Sequence, residues 1–138
     1  MSAAVAAPTS AVLAIAARLD PDPRGFGTHR QLGLGACPFL ALTGFPCPMC
    51  GMTTTFALVA DLRPLDALVN QPFGVVLFAL TAGVSAVAAT QAATGRPWAA
   101  RALERVLRHD RVVASVLLAG LLVGWGWKVV LVRGWLSP

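Results

Sequence analysis

Hydrophobic and polar positions fall along this chain in long blocks rather than in strict alternation, and the blocks predict helices. Two are apolar over the length, about 20 residues, that a helix needs to cross a bilayer. The first is PFGVVLFALTAGVSAVAATQAAT, residues 72–94, inside a charge-free run from Ala67 to Gly95. Pro72 suits the first turn of such a helix, where a missing N–H is harmless, and Asn70 is placed to cap it. The second is VVASVLLAGLLVGWGWKVVLV, residues 112–132. Its single charge, Lys128, lies near the end and is expected to snorkel to the headgroups. Trp125, Trp127 and Trp135 fall where an interfacial aromatic belt would sit. A shorter apolar block, TSAVLAIAARL over residues 9–19, predicts a third helix with Thr9 or Ser10 as its cap. DPDPRGFGTHR, residues 20–30, reads as a polar loop broken by Pro21, Pro23, Gly25 and Gly27.

Arginine is densest between the two long blocks. Arg96, Arg101, Arg105, Arg108 and Arg111 stand there against Glu104 and Asp110. Short arginine-rich loops stay in the cytoplasm, so the loop 95–111 is expected inside and the far ends of both spans outside. Within it, AARALERVLR has apolar residues at helical spacing and is expected to lie on the inner surface. Residues 1–17 carry no positive n-region, so insertion is expected to rest on the later spans.

Composition supports the same class. Of 138 residues, 57% are hydrophobic and only 12% charged, against about 25% charged in an ordinary soluble domain. The net charge of +5 comes from arginines beside apolar spans and not from a basic groove, which argues against nucleic-acid binding. The expectation is a single all-α membrane domain, residues 1–138, in a bacterial cell membrane. Its partners would be the bilayer and another membrane protein or a second copy of itself.

One stretch breaks the pattern. From Gln31 to Ala60 there is no charge, yet Gly33, Gly35, Pro38, Gly44, Pro46, Pro48 and Gly51 interrupt it. Prolines at 46 and 48 exclude a straight helix there, and irregular backbone at membrane depth survives only where protein or water covers it. The expected solution is discontinuous: a short segment over 37–43, a turn at TGFPCP, and a helix over 49–62. That helix would be about 21 Å long at 1.5 Å per residue. This stretch, CPFLALTGFPCPMCGMTTTF, holds all three cysteines, Cys37, Cys47 and Cys50. Near a helix start the unpaired N–H groups favour an anion, which makes Cys47 the expected low-pKa thiol unless apolar surroundings oppose it.

These residues resemble the signature of an uncharacterised family of small bacterial membrane proteins, known only as a domain of unknown function. The family pattern is Cys-Pro, Thr-Gly, then Cys-Pro-x-Cys-Gly-x-Thr-Arg, with Asn-Pro ahead of the next span. Cys37-Pro38, Thr43-Gly44, Cys47-Pro48, Cys50-Gly51 and Thr53 match it. Thr54 stands where arginine is usual, and Asn70-Gln71-Pro72 carries one residue inserted into the Asn-Pro pair. The resemblance extends over about residues 30–95 and implies a membrane protein without a known activity.

Three readings of the cysteines stand side by side. The first is structural: small sulfur side chains packing where Gly44, Gly51 and Thr53–Thr55 allow close approach, in a scaffold or accessory protein with no cofactor. The second is a thiol–disulfide pair in the Cys-Pro-Met-Cys box, on the outer side where a Cys47–Cys50 or Cys37–Cys50 disulfide would persist. The third is a zinc or iron site at Cys37, Cys47 and Cys50, with His29 as a fourth ligand. No acid–base pair or nucleotide-binding motif is visible, and the chain does not read as an enzyme.

Overall fold

The computed structural model describes residues 2–95, 108 and 110–134, all helix and connecting turns with no strand among them. Among the described residues six α-helices follow one another: α1 (Ser2–Ala16), α2 (Pro38–Thr43), α3 (Met52–Ala60), α4 (Pro64–Asn70), α5 (Pro72–Thr94) and α6 (Asp110–Val132). A 3₁₀ turn, Thr28–Leu32, lies between α1 and α2. The expected surface helix over AARALERVLR, and Trp135, lie outside the described residues.

The two long helices agree with the sequence. α5 begins at Pro72 as expected, and α6 starts two residues before the expected Val112, at Asp110. Each runs 23 residues, with mean hydropathy of 2.0 and 1.9 in its most apolar window. Only 17% and 11% of those windows are buried, so neither is the wrapped core helix of a soluble protein. Val76 and Leu80 on α5, and Val112, Val116, Leu118 and Val123 on α6, stand at least half exposed. α6 packs antiparallel to the start of α5. The phenyl ring of Phe73 lies over Gly120, and its Cβ approaches Gly124, so closely that a Cβ at either glycine would collide with it.

The N-terminal helix departs from the expected 9–19. It begins at Ser2, passes through Pro8 and ends at Ala16. Alanines on both sides of the proline carry the helix past it. The Thr9 hydroxyl donates to the Val5 and Ala6 carbonyls at 2.8 and 3.2 Å. Ser10 is not a cap: its hydroxyl lies 2.7 Å from that of Ser85 and joins α1 to α5.

The broken stretch is discontinuous, as expected. α2 occupies 38–43, and α3 is shorter than the expected 49–62 because Gly51, at φ 88°, caps it and forces its start to Met52. Only glycine holds that conformation without strain. A Cβ there would also meet the Gly25 carbonyl at 2.7 Å and the Lys128 ammonium at 2.9 Å. At the far end Leu62 takes the left-handed conformation, φ 58°, and Pro64 opens α4.

Two sequence expectations are corrected here. Asn70 does not cap α5; Gln71 holds the N-cap position, with no side-chain capping bond. The Asn70 amide instead donates to the Gly51 carbonyl at 3.2 Å and to Thr55 Oγ1 at 2.9 Å, while its Oδ1 accepts from Lys128 Nζ at 2.5 Å. Lys128 does not snorkel. It is 2% exposed and also donates to the Gly25 carbonyl at 2.8 Å. A fully satisfied set of inward acceptors holds an ammonium more firmly than a stem stretched along the helix. The tryptophans are anchored too, Trp125 Nε1 donating to the Pro46 carbonyl and Trp127 Nε1 to the Val69 carbonyl, each at 2.7 Å.

Adjacent residues 70 and 71 should therefore respond oppositely to substitution. Asn70→Leu takes the Oδ1 acceptor from a buried ammonium and a donor from the Gly51 carbonyl and Thr55 Oγ1, and should cost about 3 kcal/mol. Gln71 is fully buried with neither amide atom hydrogen-bonded to a described residue, so Gln71→Met should be neutral or stabilising by about 1 kcal/mol. Thermal melting of the purified variants in detergent measures both. Equal destabilisation would show that the two side chains are not distinguished by their bonding.

Candidate three-thiol site

The site is assembled by two short pieces of backbone. Cys37 holds the N-cap position of α2, with Pro38 filling the first helical turn. Cys47 and Cys50 lie on the turn before α3, closed by the Cys50 N–H donating to the Cys47 carbonyl at 2.9 Å. Pro46 is buried under Trp125, and this fixes where the turn sits against α6. The three Sγ atoms, one from the first piece and two from the second, all lie within 4.8 Å of one another. All three thiols are free.

The remaining signature residues support this arrangement without entering it. Thr43 and Gly44 close α2: the Thr43 hydroxyl donates to the Phe39 carbonyl at 2.6 Å, and the Gly44 N–H donates to the Leu40 carbonyl. Pro48 lies between the paired cysteines, and Gly51 turns the chain into α3. Thr53, on the first turn of α3, faces a cavity of about 220 Å³ whose wall also includes Cys47, Cys50, Thr54 and His29. Thr54, where the family signature has arginine, is buried and shares a hydrogen bond of 2.9 Å with Thr28. His29 is not gathered with the sulfurs. It lies on the cavity wall with Nε2 3.1 Å from the Gly35 carbonyl.

Of the two opposing effects expected at Cys47, desolvation prevails. Cys37, not Cys47, is held below the ordinary thiol range, chiefly by the Leu40 backbone amide in the first turn of α2. Burial pushes Cys47 up, and the neighbouring Cys37 adds to the shift. Burial likewise drives Cys50 up to about 11, with the negative charges of ionised Cys47 and Cys37 reinforcing it. Since α3 begins only at Met52, Cys47 lies too far from its first turn to gain from that dipole, and desolvation wins.

Sequence reasoning missed two parts of this region. One is the approach of Cys37 to the other sulfurs, which no spacing rule contains. The other is Lys128, whose presence as the one charge inside an apolar span was the available signal.

Fold and site together define an all-helical protein with two helices long and apolar enough to cross a membrane, and a cluster of three thiols beside them. Residues 37–84 match a family described as "Protein of unknown function (DUF2752)", in agreement with the resemblance carried by the cysteine signature. The match runs from Cys37 through α3 and α4 into α5. No curated protein and no solved structure matches the chain.

Alkylation against pH should reveal the order of acidity. Only the thiolate reacts, and a lowered pKa supplies thiolate at lower pH. Cys37 should therefore be modified first as pH rises and Cys50 last, near pH 11. Peptide mass spectrometry after brief alkylation of reduced, metal-free protein reads the sequence of events. Modification of Cys47 ahead of Cys37 would restore the expectation that the box itself holds the acidic thiol.

Proposed function

We propose that the chain is a small accessory protein of the bacterial cytoplasmic membrane whose three cysteines hold a thiophilic divalent metal ion, of which zinc is the representative. One observation carries the reading: three sulfurs from two separated segments converge within 4.8 Å. Ideal tetrahedral coordination at a Zn–S distance of about 2.3 Å separates sulfurs by about 3.8 Å, so a contraction of roughly 1 Å completes the geometry. Packing alone gives no reason for convergence, because Cys37 and Cys47 are only half-buried. Bound metal removes the thiol protons outright and so overrides the high pKa of Cys50. It would also tie the N-terminus of α2 to the turn before α3, closing a stretch of chain that prolines and glycines leave without continuous helix.

Zinc measured by mass spectrometry in purified protein should approach one per chain, and Cys37→Ser, Cys47→Ser and Cys50→Ser should each reduce it. Loss confined to Cys47→Ser and Cys50→Ser would argue for the paired box without Cys37. No bound metal, with Cys→Ala tolerated better than the bulkier Cys→Leu, would return the cluster to close packing.

A thiol–disulfide function is the second reading, favoured by the lowered pKa of Cys37 beside Cys47. It requires Cys37 to be the attacking thiol, and a Cys37–Cys47 disulfide to accumulate in metal-free protein under an oxidising glutathione buffer.

The arginines between residues 96 and 111 support a cytoplasmic position for the loop joining α5 and α6, with the thiols toward the outer side. Cysteines introduced singly at Ala99 or Ala102 should then resist an impermeant maleimide in intact cells. Ready labelling at those positions overturns the orientation.

A further inference from the structure

Lys128 is the only lysine of the chain, and it lies in the C-terminal part of α6, between Trp127 and the apolar run 129–132. Its ammonium is buried, and every acceptor it contacts is a neutral oxygen: the Gly25 carbonyl at 2.8 Å, the Asn70 carbonyl at 3.4 Å and Asn70 Oδ1 at 2.5 Å. Among the described residues the ion pairs are Arg24–Asp22 and Arg63–Asp66, and no carboxylate pairs with Lys128. A buried cation without a counter-ion is costly, and an anion close by would offset that cost.

Asp22 and Asp66 line a cavity together with Lys128, but each is paired with an arginine; the thiol site begins one residue from the contact of Lys128 with Gly51. Lys128 packs on Gly51, the residue after Cys50, where a Cβ would meet both Cε and Nζ at 2.9 Å. Asn70, which holds the ammonium, also binds the Gly51 carbonyl. One hydrogen-bonded unit thus carries the ammonium on one side and the third thiol on the other.

We infer that Lys128 is the charge-compensating partner of the three-thiol centre, so that a divalent metal, three thiolates and one ammonium form a neutral assembly. The inference rests on the metal reading above. Two positive charges against three thiolates leave the centre at −1, and the ammonium brings the sum to zero. Three thiol protons leave on binding, while Lys128 keeps its own. Lys128 is a positioning and electrostatic residue here, not a ligand.

The experiment is zinc competition against a chromophoric chelator in detergent, using full-length wild type, Lys128→Arg, Lys128→Met and Asn70→Asp, with melting of each metal-free protein as the folding control. Removing the charge should weaken zinc binding about 10- to 100-fold in Lys128→Met, the range seen when residues supporting a metal site are lost. Lys128→Arg should restore most of it. Asn70→Asp hands the ammonium a carboxylate of its own and should weaken binding even if Lys128→Met does not fold. Proton release in the wild type, from calorimetry in buffers of different ionisation enthalpy, should not exceed three per zinc. Folded Lys128→Met or Asn70→Asp with wild-type affinity, or a fourth proton released, overturns the inference while leaving the metal site standing. A wild type that binds no zinc overturns the metal reading itself.

Discussion

The fold depends on one buried ammonium. Lys128 reaches from α6 to the Gly25 carbonyl of the first loop and to Asn70 at the end of α4, and Asn70 passes the connection to Gly51 and Thr55. Segments distant in sequence therefore meet at a single charge. In apolar surroundings an ammonium has no water to fall back on, so each acceptor must be supplied by the chain and held in place. That requirement explains why a polar loop, a glycine turn and a helix junction are drawn to the same point. It also explains why glycine is needed at 25 and 51, where any Cβ would enter the space that the lysine and asparagine fill.

Around this hub, the helix breaks act as positioning devices. Gly44 ends α2, Pro46 anchors under Trp125, and Gly51 restarts the helix as α3. Between them the chain turns tightly enough to set Cys47 and Cys50 opposite Cys37. A continuous helix through this region would have spread the sulfurs along its length, since 1.5 Å per residue separates positions 37 and 50 by about 20 Å. Proline and glycine make convergence possible by denying the helix its continuity.

The thiols themselves are differentiated by depth. Cys37 sits at the rim, where a backbone amide favours its anion, while Cys50 lies in the interior, where desolvation holds its proton. A gradient of this kind suits a centre that a metal enters from the exposed side. On the proposed metal reading the rim thiol would ionise first and the inner one would yield its proton to coordination, with the Lys128 ammonium balancing the resulting charge.

How much of this could be read from residues alone follows from the range of the forces involved. α5 and α6 were legible because length, apolarity and a proline at the first turn are local properties, and apolar surface of that extent has few other uses. The discontinuity of residues 31–60 was legible for the same reason: proline and glycine act on their own backbone. The signature cysteines could be named, but not their grouping, because the approach of Cys37 depends on a turn whose path is set by Trp125, some 79 residues away. Asn70 was read as a local cap and Lys128 as a snorkelling charge, each the right answer for an isolated helix. Their actual partners come from other elements, and a hydrogen bond across 58 residues leaves no mark in spacing or periodicity. Sequence determined which segments are helical and where the chain must break; tertiary structure decided which polar groups the buried charge would gather, because that choice depends on distances that exist only after the helices pack.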